Sequence, residues 1–110
     1  LLTRKQENAT VTLTHTGTKD LLSHTKRADI IVAAIGSSHF LKADAIKSGA
    51  TVIDVGISRT EVGIVGDVDA ASVTGIAGAL TPMPGGTGIM TVACLMENTV
   101  NAAAMQGVRV

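Results

Sequence analysis

The chain has 110 residues, 45% of them apolar, a length that suits one domain. Nine basic residues balance nine acidic ones and only 16% of the chain is charged. That balance excludes both a disordered segment and a non-specific nucleic-acid binder, which need high net charge and a basic block. No apolar run approaches the ~18 residues of a membrane span, and the lone Cys94 cannot close an intramolecular disulfide, which fits a reducing, cytoplasmic setting.

Leu1 to Glu7 lacks the basic-then-apolar layout of a signal peptide. It has the pattern of the last turns of a helix, so the chain is expected to be a fragment of a longer protein. Asn8-Ala9-Thr10 matches a glycosylation acceptor, but nothing else points to secretion. Ala9 to Thr14 alternates and is β-branched, which predicts a first strand. His15-Thr16-Gly17-Thr18 breaks it, and Thr18 is placed to cap a helix over Asp20 to Arg27 with Leu21 and Leu22 facing inward.

Ile30 to Ile35 is continuously apolar, the mark of a strand buried on both faces of a parallel sheet. Gly36-Ser37-Ser38-His39 ends it. A helical stretch from Leu41 to Lys47 is closed by Ser48-Gly49. A third strand covers Thr51 to Val55, ending at Gly56. Ser58 to Val65 is an irregular excursion with a short ribbon around Gly63. A weak helix over Ala70 to Thr74 precedes a short fourth strand at Ala77 to Leu80. Thr81 to Gly88 holds both prolines and three glycines and cannot be the interior of a helix or strand. The longest helical pattern follows, from Ile89 to Met105.

Strands alternating with helices imply parallel pairing and right-handed crossovers. The expected fold is therefore α/β, a Rossmann-like parallel sheet flanked by helices and incomplete at its N-terminal edge, forming one domain over residues 1–110. Breaks fall at the C-terminal ends of successive strands, at Gly17, Gly36, Gly56 and Pro82. Ligands of open parallel sheets bind outside those ends, where glycine lets the backbone approach a flat cofactor. The last helix is apolar over most of its circumference, through Ile89, Met90, Val92, Ala93, Leu95, Met96 and Val100. A surface helix carries one apolar stripe, so this one is expected to be covered on more than one side, either within the domain or by a second domain or subunit.

Five segments in one order carry a resemblance: Asn8 to Thr12, Ala28 to Ala34, Val52 to Ile57, Gly66 to Val68, and Thr81 to Thr91. Together they resemble the C-terminal, nucleotide-binding half of the bifunctional methylenetetrahydrofolate dehydrogenase/methenyltetrahydrofolate cyclohydrolase family. The Pro84-Gly85-Gly86 motif with Asp54-Val55-Gly56-Ile57 upstream is its most specific part. The resemblance implies an NADP-dependent oxidation of 5,10-methylenetetrahydrofolate and hydrolysis of the methenyl product to 10-formyltetrahydrofolate. It also implies a homodimer and a tetrahydrofolate-derived substrate, while charge and hydropathy leave no expectation of a nucleic-acid or membrane partner and His24 and His39 have no companions at metal-ligand spacing. The family's catalytic lysine and tyrosine lie in an N-terminal domain, and its Gly-Arg-Ser phosphate turn would precede Leu1. No residue of this chain is therefore expected to be a catalytic acid, base or nucleophile. The family's Pro-Gly-Gly-Val-Gly-Pro-Met-Thr motif is altered here, with Thr87 and Ile89 in place of Val and Pro, and Ser37-Ser38 stand where a proline is usual after Gly36.

The expected cofactor residues are His15, Thr16, Ala34, Gly36, Ile57, Gly88 and Thr91; the resemblance implies Thr16, Ile57, Gly88 and Thr91, Gly36 is chosen for its place at a strand end as well, and His15 could meet adenine or phosphate. At His15 to Lys19 no acid occurs before Asp20, whereas NAD-binding folds usually place one there for the ribose 2′-hydroxyl, so NADP is preferred. Thr16 could equally be an ordinary local hydroxyl, and Gly36 an ordinary turn. Pro82, Pro84, Gly85 and Gly86 are expected on the substrate side, where proline stiffens the loop and the following helix offers free N–H groups. Asp54 and Asp67 are acids in apolar surroundings, costly to bury unpaired, and are expected to accept hydrogen bonds from nearby backbone. Two other readings stand beside this one: a non-enzymatic nucleotide-sensing module on the same sheet, and a different Rossmann-like enzyme such as a methyltransferase.

Overall fold

The computed structural model describes residues 1–110. The elements, in order, are α1 (Leu21–Thr25), β1 (Ile30–Ala33), β2 (Thr51–Asp54), β3 (Ser58–Thr60), β4 (Gly63–Val65), α2 (Ala70–Val73), β5 (Ala79–Leu80) and α3 (Thr87–Met105). A three-stranded parallel sheet has the order β1-β2-β5, and β3 and β4 form a separate antiparallel ribbon. The sheet, the ribbon around Gly63 and the long last helix follow the sequence expectation.

The register Ala33 opposite Asp54 and Val52 opposite Leu80 brings the C-terminal ends of all three strands to one edge. Side chains alternate across a strand, so Ile31, Ala33, Val52 and Asp54 share one face. That face is buried under Leu41, Ala45, Ile46, Val68 and Val73, the hydrophobic core of the molecule. Leu41 also bridges to Val68 as a one-residue parallel pair, which ties the segment after β1 to the segment before α2.

Five expectations fail. Ile30 and Val32 are 63% and 58% exposed, so β1 is buried on one face only. No element of the chain covers the other face, which an apolar run alone cannot reveal. The first strand does not form. Residues 10–14 make no backbone hydrogen bond, and Val11 and Leu13 stay exposed. A strand exists only when its ladder groups are paired, and this segment finds no partner beside β1. The N-terminal helix reading gives way to hydrogen-bonded turns, with Arg4 N donating to Leu1 O and Asn8 N to Arg4 O. Thr18 caps the turn before α1 instead of the helix: its hydroxyl accepts from His15 N at 2.8 Å, and Asp20 stands at the helix N-cap. α1 is then only five residues long and Leu22 points outward. The expected helix from Leu41 to Lys47 shrinks to a single 3-10 turn at Ala43–Ala45.

None of the 19 residues of α3 is buried, and all but Thr87 and Ala103 are exposed. The radius of gyration, 16.5 Å, exceeds the ~13 Å of a compact domain of this length, in keeping with the exposure of α3 and of residues 1–13.

Candidate functional site

The rim of the sheet is built from three backbone segments: Ala34–Gly36 after β1, Val55–Ile57 after β2, and Thr81–Gly86 after β5. Two buried aspartates and two threonines fasten them together. Asp54, the last residue of β2, is 3% exposed. Its Oδ1 accepts from Gly56 N and Asp67 N, both at 3.0 Å, and its Oδ2 from Val68 N at 3.1 Å. Asp67 is fully buried; its Oδ2 accepts from Ile35 N at 2.5 Å and Gly36 N at 2.9 Å. Each carboxylate thus reaches from one segment to backbone donors of another, which is how an acid becomes affordable in an interior.

Glycine makes room for both. A Cβ at Gly66 would overlap the Asp54 carboxylate, and a Cβ at Gly56 would overlap that of Asp67. At Gly36 the reason differs. Its φ is 78°, a left-handed conformation that side chains resist, and the space above it is open. The loop after β5 is held from both ends: Asp54 N donates to the Thr81 hydroxyl at 2.8 Å, and the Thr87 hydroxyl donates to Asp54 O at 2.9 Å. Between them Gly86 packs its Cα against Pro82 O, so no larger residue fits, and the Met83–Pro84 peptide is cis. A cavity of about 380 Å³ opens beside this edge, with Asp54, Gly66, Thr81, Pro82 and Met83 in its wall.

The expected site residues fall into three sets. Ala34, Gly36, Ile57, Pro82, Pro84, Gly85, Gly86 and Gly88 all lie on or next to the rim. Ile57 is 65% exposed there, which suits a contact surface and not the core position its aliphatic character suggests. Thr91 sits one turn into α3, where its hydroxyl donates to Thr87 O at 2.8 Å. His15 and Thr16 lie on the exposed turn before α1. The hydrogen bonds of that turn are local: Gly17 N donates to His15 Nδ1 at 3.1 Å and Thr18 N to His15 O at 2.9 Å. The Thr16 hydroxyl has no partner within the chain.

Sequence reasoning passed over Thr81 and Thr87, whose hydroxyls clamp the main chain of Asp54. The available signal was a hydroxyl at each end of a Pro/Gly loop. Asp54 and Asp67 do what was expected of them.

A Cβ at Gly36, Gly85 or Gly88 would meet no atom of the chain, so the backbone there is open to a ligand that approaches closely. The first N–H groups of an α-helix lack intrahelical acceptors, and α3 starts directly after this loop.

Comparison with known proteins agrees with this geometry. The family model for the tetrahydrofolate dehydrogenase/cyclohydrolase NAD(P)-binding domain matches residues 1–107. The bifunctional protein FolD of Dinoroseobacter shibae is 54% identical over 104 residues, covering 88% of this chain and 35% of that protein. The crystal structure of the bifunctional enzyme FolD, a methylenetetrahydrofolate dehydrogenase/cyclohydrolase from Campylobacter jejuni, superposes with a TM-score of 0.84 at 48% identity, over 89% of this chain and 35% of that one. The Trypanosoma brucei N5,N10-methylenetetrahydrofolate dehydrogenase-cyclohydrolase, solved with NADP cofactor and inhibitor, gives 0.76 at 38% identity over 86% of this chain and 35% of that one. The chain spans about a third of the length of the curated relatives it matches. A parallel sheet whose strand ends are pinned into one open rim, matched along nearly its whole length, places this chain in the tetrahydrofolate dehydrogenase/cyclohydrolase family, as its NAD(P)-binding domain.

Proposed function

We propose that the chain is the NADP-binding part of an enzyme that oxidises 5,10-methylenetetrahydrofolate to 5,10-methenyltetrahydrofolate and hydrolyses that product to 10-formyltetrahydrofolate. The observation that carries the proposal is the rim itself: three strand-end segments, cross-tied by Asp54 and Asp67, with open space over their glycines. NADP, when bound, accepts the hydride. The chain's own residues bind and orient. Ala34, Gly36 and Ile57 offer backbone and a small apolar surface to the cofactor, and Gly88 and Thr91 line it from the start of α3. Pro82, Pro84, Gly85 and Gly86 face the folate. His15 and Thr16 receive the adenosine end, where hydroxyls and the nearby Lys19 suit a 2′-phosphate better than the acid of an NAD site would. The groups that move protons come from the part of the relatives that this chain does not span, so the 110 residues alone bind without turning over. We place the enzyme in the cytoplasm as a homodimer, in line with its single cysteine and with the unburied apolar surface of α3.

The test compares NADP with NAD in the whole enzyme. Thr16→Glu is expected to lower NADP affinity by about tenfold or more, because a charge-assisted contact is lost and a like charge is added, while NAD is little affected. Equal losses for both nucleotides would overturn the assignment of the 2′-phosphate to this turn. Turnover by the 110 residues alone would overturn the allocation of catalytic groups.

A further inference from the structure

Asp67, so far only a tie between rim segments, is the most enclosed ionisable side chain in the molecule, with no exposed surface. Its Oδ2 takes both N–H groups of the Ile35–Gly36 turn. Its Oδ1 is buried without any hydrogen-bond partner and lies against the Cα of Gly56. Two successive N–H groups converging on one oxygen form an anion nest, the kind of concavity that elsewhere receives a ligand phosphate. Here the protein's own carboxylate fills it.

We propose that Asp67 is a positioning residue for the cofactor, resting on the functional reading above: it holds the Ala34–Gly36 turn in its left-handed shape and closes that turn to phosphate. The turn then presents the side away from its N–H groups to the ligand. An uncharged part of the nucleotide, a sugar or a ring, packs there, and the phosphates are received elsewhere along the rim. The grip is relayed through a second carboxylate. Asp54 holds Asp67 N and Val68 N, so the residue that shapes the β1 turn is itself registered to the end of β2. A carboxylate with one lone oxygen, where a fully bonded one would hold the fold better, is explained if the required feature is the two-donor contact on Oδ2.

The experiment uses the whole enzyme with three variants. Asp67→Ala opens the nest. Asp67→Asn keeps one acceptor oxygen for the two N–H groups and directs its amide toward Gly56. Gly36→Ala meets no neighbouring atom, so it perturbs only the left-handed backbone and stands in if Asp67→Ala does not fold. We expect Asp67→Ala and Gly36→Ala each to raise the KM for NADP by about tenfold or more, with the folate KM and kcat within about twofold, and Asp67→Asn to recover most of the loss. Added formate, a small carboxylate, should partly restore NADP binding to Asp67→Ala and leave Gly36→Ala unchanged. Equal rises in both KM values, or a fall in kcat alone, would overturn the positioning role. Failure of the unmodified enzyme to bind NADP at all would instead overturn the functional reading, and direct titration of that enzyme separates the two.

Discussion

The buried face of the sheet and the long helix α3 are both apolar in sequence, and they end in opposite conditions. Ile31, Val52, Val68 and Val73 are enclosed within a single layer of short segments. Ile89, Met90, Val92, Leu95 and Met96 are each more than 60% exposed. Apolar content was the same kind of signal in both places; the difference lies in what fixes the backbone nearby. Around the sheet, carboxylates and hydroxyls bind segments distant in sequence to one another, so apolar groups are brought into contact. Along α3 the only such tie is Thr87 to Asp54, at its very start. Order on one side of the molecule is thus internally specified, and on the other it waits for a surface from outside the chain.

The comparison breaks most sharply at Asp54. Replacing it by Ala strands three backbone donors at once, and we expect a loss of about 3–5 kcal/mol in chemical denaturation followed by circular dichroism. A loss near zero would mean that the ties do not organise the core. Gly66→Ala attacks the same contact from the other partner, by pushing a methyl into the carboxylate. About 2–3 kcal/mol should be lost in the same measurement. On the other side, Leu95→Glu and Met96→Glu in the 110-residue chain should shift stability by no more than about 0.5 kcal/mol, the value for an uncovered surface. A large loss there would show that α3 is packed in solution.

The smallest effect sits at the N-terminal end of β1. Asp29 is exposed, but the hydrogen bond from Lys47, and then that residue's charge, hold its carboxyl below the ordinary value of 3.8. The folded value is the lower one, so the interaction contributes above the ordinary value and fades as pH falls through the folded one. Lys47→Ala should return the carboxyl toward 3.8 in an NMR titration, with little change in folding.

Legibility in the sequence follows the same division. β2, the ribbon around Gly63, the loop from Thr81 and the extent of α3 were all readable, because turn residues and a long helical pattern mark them locally. The predicted strand at Ala9–Thr14 was not realised. Its alternation is genuine, but a strand also needs a neighbour, and pairing is not written in one segment. The exposure of Ile30 and Val32 was hidden for a similar reason: a continuous apolar run says that both faces can be buried, not that both are covered. At the rim the strand-end glycines were visible at once. The two threonine clamps were not, since a hydroxyl in a loop has no pattern until the backbone group it meets is known. His15 and Thr16 lie on an exposed turn whose hydrogen bonds are all its own.

The reciprocal fit of Gly56 under Asp67 and Gly66 under Asp54 has a consequence for how this domain can change. Each small residue reserves the volume that the opposing acid fills, so neither member of a pair can drift alone. A mutational route through Gly56→Ala is open only if position 67 shortens in the same step, and a shorter residue there gives up the grip on the turn at Gly36. The four positions are therefore inherited as a block, and a library that randomises them one at a time should return almost nothing but the starting residues.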